Sequence, residues 1–255
     1  MNPNTTTPLT VPLRAPAPGA SATLYCFPHA GGDPDTFLPL ARLLPPHVTP
    51  VGINLPADET GGSVFPTVRA AAAAIATAVT DRHVTPGSAQ GDGFQTIGLL
   101  GHSGGGLLAY ETARSLHDHR VPLALLAVSS VPAPAAAPQL IRQLSNPQRF
   151  EQTVHEALGL ATNNRTLAAF AFRRDLPMYT AYTYEEGAPL DYPIAVHGGD
   201  EDPVAPHTDL AEWASYTTAR CTVRTYPGGH MYLRNHWGAL ATHLGNALTA
   251  GRTDI

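Results

Sequence analysis

The residues best suited to covalent chemistry lie in the segment GLLGHSGGG, residues 98–106, where Ser103 stands between glycines directly after an apolar run. The Gly-x-Ser-x-Gly pattern of Gly101, Ser103 and Gly105 is typical of a nucleophile elbow, in which a sharp turn between a strand and a helix lifts the serine hydroxyl above a sheet. Glycines are needed because side chains there would clash with the flanking strand and helix. A glycine-rich turn with a capping serine is the alternative, but the strand and helix predicted on either side favour the elbow.

An elbow serine needs a carboxylate and then a histidine, in that order along the chain, because its hydroxyl is a poor nucleophile without a general base. The segment GGHMYL places His230 in a loop after the last predicted strand, and His236 at the start of the terminal helix is the second choice. The segment HGGDEDPVAP supplies Asp200 and Asp202 after the preceding strand. Counting three residues from Gly199 favours Asp202, and Asp200 is predicted to be a turn residue that bonds to its own backbone.

The same reaction needs two N–H groups that stabilise an oxyanion. Gly104 N–H is the first, at the positive end of the helix that follows the elbow. The second is expected from the loop FPHAGG after the first predicted strand, where Ala30 would supply the N–H; an ordinary Gly-Gly turn is the alternative for this loop. In this interpretation His230 takes the proton of Ser103, while Asp202 orients the imidazole and stabilises the imidazolium.

The elements that must position these residues alternate between strands and helices. Strands are predicted over residues 22–27, 48–53, 94–100, 123–130, 192–199 and 221–227, and helices over 67–82, 105–118, 209–217 and 236–249. A further short helix is expected to end near Leu44, before two prolines. Such alternation predicts an α/β fold with a mostly parallel, doubly wound sheet, whose carboxyl edge carries the candidate residues.

The alternation stops between residues 131 and 190, where no strand is predicted. An insertion of this length is too long for a plain loop, and its apolar helical patterns predict a helical lid over the carboxyl edge. We therefore expect a flexible N-terminal tail over 1–21, a first core part over 22–130, the lid over 131–190 and a second core part over 191–255.

Four apolar or aromatic residues of the lid are predicted to bind substrate: Phe172, Met178, Tyr179 and Tyr182. They are expected to line an apolar channel that suits an acyl chain. The alternative is that aromatic residues at helical spacing only bury the lid against the sheet, and it is expected to hold for about half of the lid's aromatics.

Composition excludes several functional classes. Of 255 residues, 43% are apolar and 14% charged, and the formal net charge of −5 gives no electrostatic reason to bind nucleic acid or an anionic membrane. The two cysteines cannot make a disulfide scaffold, and their spacing suggests no metal site. The N-terminal segment lacks the pattern of a signal peptide. We therefore expect a cytoplasmic monomer with no metal and no cofactor.

Five segments together resemble a type II thioesterase: YCFPHAGGDPDTFLPLARLLP, GLLGHSGGGLLAYETARSL, FRRDLPMYTAYTY, PIAVHGGDEDPV and YPGGHMYL. These enzymes are stand-alone α/β-hydrolases that accompany polyketide synthases and non-ribosomal peptide synthetases. The resemblance is most specific in CFPHAGG combined with the late GGH. It implies the α/β-hydrolase fold and hydrolysis of acyl groups from the phosphopantetheine arm of an acyl or peptidyl carrier protein. It also supports Ser103, Asp202 and His230 as the triad and Ala30 and Gly104 as oxyanion donors.

Two segments depart from the family pattern. Most members have Met and then Gly-Ala after the serine, where this chain has Gly104-Gly105-Gly106, and most have an Arg- and Glu-rich stretch in place of LPADETGGSVFP. Both segments are expected near the acyl entrance. A chain-releasing cyclase or acyltransferase with the same triad is therefore the alternative function. A non-enzymatic binding module is a third hypothesis, against which the intact order of Ser, Asp and His argues.

Arg173 and Arg174 are expected to meet an acidic carrier surface.

Overall fold

The computed structural model describes residues 9–59, 61–83, 96–145 and 174–250, and within these ranges a seven-stranded sheet forms the centre of the fold. Its strands are β1 (Thr10–Pro12), β2 (Ala22–Phe27), β3 (Val48–Ile53), β4 (Thr96–His102), β5 (Leu125–Ser129), β6 (Ile194–Gly199) and β7 (Cys221–Tyr226). Their spatial order is β1-β3-β2-β4-β5-β6-β7, and all neighbours are parallel except β1, which runs antiparallel to β3. The predicted doubly wound α/β sheet is confirmed.

Helices cover both faces of the sheet. They are α1 (Leu38–Leu43), α2 (Val68–His83), α3 (Gly104–Asp118), α4 (Ala137–Leu144), α5 (described over 174–180) and α6 (Leu233–Ala250), with 3-10 segments at Pro34–Phe37 and His207–Tyr216. Helices α2 and α3 pack together against one face, and α1 and α6 against the other. Strands β2 and β3 are therefore buried along their whole length. No helix within the described ranges is both long and apolar enough to cross a lipid bilayer.

Two helix predictions need correction. The segment predicted as a helix over 209–217 is a 3-10 helix, and the terminal helix α6 begins at Leu233 rather than at residue 236. The backbone of His236 departs from helical geometry, with φ −125° and ψ 19°, so α6 is kinked at this residue. The predicted helix start coincides with this kink, and the helical residues Leu233–Asn235 precede it.

The N-terminal segment is not entirely a flexible tail as predicted. Residues Thr10–Pro12 form β1 and pair with β3, so the tail contributes the edge strand of the sheet. Arg14 then donates four hydrogen bonds at 2.6–3.0 Å, to the carbonyl oxygens of Ala41, Leu44, Pro45 and Val48. Carbonyls at a helix end lack intrahelical partners, and a guanidinium supplies several donors at once. Residues 1–8 lie outside the described part of the chain.

The predicted lid over 131–190 is described at its two ends only. Helix α4 lies in its first part, and α5 lies where the chain returns towards β6. Residues 146–173, which include the predicted Phe172 and Arg173, lie outside the described ranges. That this insertion is a lid remains a prediction.

Candidate active site

Ser103 occupies the turn between β4 and α3 with φ 55° and ψ −129°, a positive-φ conformation that non-glycine residues rarely adopt. Its amide donates to Ser129 O at 2.7 Å, which ties the turn to β5. A Cβ on Gly105 would overlap the carbonyl oxygens of Phe27 and Pro28. One on Gly101 would overlap the backbone at Gly105. The two glycines are therefore required by backbone crowding, and the strain concentrates on the serine.

Ser103, His230 and Asp202 form one hydrogen-bonded line, although 127 residues separate the serine from the histidine. His230 Nε2 lies 2.9 Å from Ser103 Oγ. On the other side of the ring, Nδ1 lies 3.0 Å and 3.1 Å from the two carboxylate oxygens of Asp202. A carboxylate can only accept, so Nδ1 carries the proton of the neutral ring and Nε2 is free to accept the serine proton. The arrangement can therefore activate the hydroxyl as a nucleophile.

Asp202 is buried, and its carboxylate is held by more than the histidine. Its Oδ1 accepts hydrogen bonds from Val204 N–H at 2.8 Å and Ala205 N–H at 3.2 Å. Burial by itself raises the pKa of Asp202, but the hydrogen bond and charge of His230, together with Val204 N–H, hold the pKa below its usual value. The group is thus a carboxylate at neutral pH, as the orientation of His230 requires.

Asp200 has a different environment from the one predicted. It is exposed, and its Oδ1 accepts a hydrogen bond from Gly228 N–H at 2.9 Å rather than from its own turn. Gly228 belongs to the loop that carries His230, and Glu201 N–H donates to Gly228 O at 3.0 Å in the same place. Asp200 therefore braces the histidine loop and does not contact the imidazole.

The other histidine candidates are occupied elsewhere. His236, the second choice for the base, has Nε2 at 3.0 Å from Pro227 O. His102 is fully buried next to the elbow, with Nδ1 at 3.0 Å from Ser129 Oγ and its ring centre 5.2 Å from that of His230. Burial, followed by the charge of His230, lowers the pKa of His102 well below its usual value. His102 is therefore a neutral packing residue.

The predicted oxyanion donors and the serine share one cavity, which Ala30, Ser103 and Gly104 all line. Among the residues that the structure describes, neither Ala30 N–H nor Gly104 N–H donates to a protein acceptor. Gly31, next to Ala30, has φ 75°, which turns the loop sharply after β2. Two free N–H groups beside a nucleophile are the arrangement that stabilises a tetrahedral oxyanion.

The cavity at Ser103 encloses about 60 Å³ and is mostly apolar. Both described ends of the insertion contribute to its wall, with Leu140, Ile141 and Leu144 from α4 and Leu176 and Tyr179 from α5. The phenol end of Tyr179 lies over Gly104, where an added Cβ would sit 2.9 Å from the ring. The missing side chain at position 104 thus makes room for Tyr179 beside the elbow.

Three of the four predicted substrate-binding residues lie in the described ranges, and the structure separates them. Tyr179 lines the cavity. Met178 is fully buried, with its sulfur 3.9 Å from Ser63 Oγ, and Tyr182 is buried with its hydroxyl donating to Glu111 Oε1 at 2.8 Å. Neither is among the described residues that line the cavity. Positions 176 and 179 are three residues apart and share one side of α5, whereas Met178 lies on another side and Tyr182 lies beyond the described helix.

The sequence interpretation missed two polar residues of the site and the ion pair that one of them makes. Ser130 follows β5 with φ 51°, lines the cavity and donates to His230 O at 3.2 Å. Asp175 is buried and accepts from Gly31 N–H at 2.8 Å. Arg174 pairs with Asp175 at 2.7 Å and is partly exposed, and its contact with a carrier protein stays a prediction. A single acid directly after two arginines, in the segment RRDLPMY, was the available sign of this pair.

Comparison with known proteins places this geometry among thioesterases. The thioesterase domain family matches residues 22–248. Thioesterase PikA5 of Streptomyces venezuelae is 30% identical over 93% of this chain and 84% of its own length. The solved thioesterase RedJ from the prodiginine pathway of Streptomyces coelicolor is 28% identical with a TM-score of 0.75, covering 92% of this chain and 89% of its own. The type II thioesterase BorB from the borrelidin cluster is 25% identical with a TM-score of 0.74, covering 94% and 97%.

Proposed function

The chain belongs to the thioesterase domain family, and on that premise we propose that it hydrolyses acyl groups from the phosphopantetheine arms of carrier proteins in polyketide or non-ribosomal peptide biosynthesis. The observation that carries the proposal is the line from Ser103 through His230 to Asp202, which opens into an apolar cavity. The relatives add the biosynthetic setting, because BorB is described as a type II thioesterase of the borrelidin cluster and RedJ as a thioesterase of the prodiginine pathway.

In the proposed mechanism Ser103 Oγ attacks the thioester carbon while His230 Nε2 accepts the serine proton. The carbonyl oxygen becomes an oxyanion bound by Ala30 N–H and Gly104 N–H, and Asp202 stabilises the imidazolium. The carbon–sulfur bond then breaks, and His230 returns the proton to the leaving thiolate. Water attacks the acyl-serine in the same way, which releases the carboxylic acid and restores Ser103.

The substrate assignment rests on the cavity and on its position. Its wall is apolar, which suits an acyl chain, and it is contributed by both described ends of the 131–190 insertion. We assign the insertion as the lid that binds the acyl group, with Tyr179 as a contact and Phe172, outside the described ranges, as a second one. We further propose that the protein works in the cytoplasm as a monomer and that its partner is an acyl or peptidyl carrier protein.

The direct test is to incubate the protein with a carrier protein whose phosphopantetheine arm bears an acyl group, and to follow both products by mass spectrometry. Free carboxylic acid and unloaded carrier are expected, and Ser103→Ala should slow their formation by about 10⁴–10⁶-fold. Labelling by a fluorophosphonate should mark the unmodified chain and spare the Ala variant. A cyclic or transferred product in place of the acid would favour the cyclase or acyltransferase alternative, and an unchanged carrier would contradict the proposed substrate.

A further inference from the structure

A buried carboxylate from α5 holds the loop that carries Ala30. Asp175 is 1% exposed, and its Oδ2 accepts a hydrogen bond from Gly31 N–H at 2.8 Å, across 144 residues of sequence. Arg174 donates from Nε to Oδ1 at 2.7 Å and from Nη2 to Oδ2 at 2.9 Å. A buried carboxylate is costly unless it is paired and hydrogen-bonded, and this one has both an ion pair and an amide partner.

The peptide that Asp175 holds is the one directly after the predicted oxyanion donor. Its N–H belongs to Gly31 and points to Asp175, while its carbonyl oxygen belongs to Ala30 and lies 3.0 Å from His29 Nδ1. A carbonyl can only accept, so His29 Nδ1 carries the proton there. Since a peptide unit is planar, holding both of its ends sets its plane. Through the backbone of Ala30, that plane limits the direction in which Ala30 N–H points.

The conformational preferences of the loop that carries Ala30 do not by themselves fix the direction of Ala30 N–H. Gly31 has φ 75°, and an added Cβ on Gly32 would lie 2.9 Å from His29 O. The loop is closed by Gly32 N–H donating to His29 O at 2.7 Å. Glycines permit many backbone conformations, so a contact from outside the loop is needed to select one. Asp175 supplies that contact from an element that also lines the substrate cavity through Leu176 and Tyr179.

We propose that Asp175 is a positioning residue for the oxyanion hole, which acts through Gly31 N–H to aim Ala30 N–H at the oxyanion. The inference rests on the proposed function, in which Ala30 is one of the two oxyanion donors. Arg174 is the group that keeps the carboxylate buried and oriented. Because α5 contacts both the loop and the cavity, it links the position of the acyl group to the position of the oxyanion donor.

The test is Asp175→Asn, measured on a small acyl thioester that needs no carrier protein. The amide keeps one acceptor oxygen, so its NH₂ group faces either Arg174 Nε or both Gly31 N–H and Arg174 Nη2. In both orientations the ion pair that fixes the side chain against the loop is lost. An oxyanion donor acts mainly in the transition state, so kcat should fall while KM stays unchanged. Removing such a donor costs about 10²–10³-fold, and misdirecting one of two should cost about 10–10²-fold.

A second readout separates positioning from general damage. A trifluoromethyl ketone analogue of the substrate forms a tetrahedral adduct on the serine, so its inhibition constant should rise by the same factor as kcat falls. The control is Tyr192→Phe, which removes a buried hydrogen bond to Ala113 O, 2.5 Å long, in another part of the core. This variant should be less stable but retain both kcat and the inhibition constant.

Arg174→Gln provides a second variant, because Arg174 is partly exposed and its loss leaves the Asp175 carboxyl beside Gly31 N–H but without its ion pair. It should lower kcat severalfold without a change in KM, and it decides the matter if Asp175→Asn does not fold. A kcat within twofold of the unmodified protein, a rise in KM alone, or an unchanged inhibition constant would overturn the proposal. If the unmodified protein hydrolysed the small thioester but not the carrier-bound acyl group, the proposed function would be contradicted. The test of Asp175 would remain valid, because it uses only the small thioester.

Discussion

Replacing Asp202 with asparagine should remove most of the thioesterase activity and leave the fold in place. The oxygen of the new side-chain amide can still accept from Val204 N–H and Ala205 N–H, which the carboxylate holds at 2.8 Å and 3.2 Å. The amide nitrogen then takes the place of Oδ2 beside His230 Nδ1. Because that nitrogen is a donor, the imidazole must place its lone pair at Nδ1 and its proton at Nε2, where it faces Ser103 Oγ.

The size of the effect follows from that tautomer. With a proton on Nε2 the ring cannot accept the serine proton, and the charge that stabilises the imidazolium is lost as well. A comparable substitution in a Ser-His-Asp triad lowers kcat about 10⁴-fold, which corresponds to about 5.5 kcal/mol of transition-state stabilisation. The measurement is steady-state hydrolysis of an acyl thioester, with circular dichroism and the urea midpoint to establish that the variant is folded.

Asp200→Asn is the matched control, two residues away. Asp200 Oδ1 accepts only from Gly228 N–H among the described contacts of its side chain, at 2.9 Å, and an asparagine oxygen can keep that bond. Its kcat should change less than about tenfold, because the imidazole keeps its partner. If Asp200→Asn proved the slower enzyme, or if both variants lost activity equally, the assignment of Asp202 as the orienting acid would be refuted.

Three further predictions concern the elbow, the cavity and stability. Gly105→Ala should destabilise the fold and prevent fluorophosphonate labelling, because its Cβ would overlap backbone carbonyls, whereas Gly238→Ala, where a Cβ meets nothing within 4 Å, should do neither. Gly104→Ala should raise KM for a long acyl thioester about fivefold, because the new Cβ displaces Tyr179. Adding Tyr179→Leu should return KM to its original value, and additive effects of the two substitutions on KM would disprove the contact. Burial, then the charge of His243, lowers the pKa of His197 in the folded protein to about 3. Below pH 6.5 the histidine therefore binds a proton in the unfolded chain but not in the folded one, and the free energy of unfolding should fall by about 1.4 kcal/mol per pH unit. Urea unfolding from pH 7.5 to 4.5 should show this loss, and His197→Phe should reduce the slope by about one proton; parallel curves would contradict it.

Much of the site could be predicted from the sequence because its chemistry is encoded locally. The glycines around Ser103 are dictated by backbone crowding within a five-residue turn, and the alternation of strands and helices predicts the parallel sheet. A parallel sheet brings the ends of its strands to one edge, so the positions of Asp202 and His230 after successive strands were enough to place them near the serine. Counting from Gly199 selected Asp202 over Asp200, and the structure places Asp202 against the imidazole.

Features that depend on contacts between distant segments could not be predicted from the sequence. The side of α5 that faces the cavity determined that Tyr179 lines it while Met178 is buried elsewhere. The pairing of Thr10–Pro12 with β3 followed from an edge that was open to it, not from any strong strand pattern in those residues. The bond from Gly31 to Asp175 joins positions 144 residues apart, and no local pattern contains both partners. The periodicity of a sequence indicates which residues are apolar and which segments form helices, strands or turns. The residues that each side chain contacts are determined only when these elements pack together.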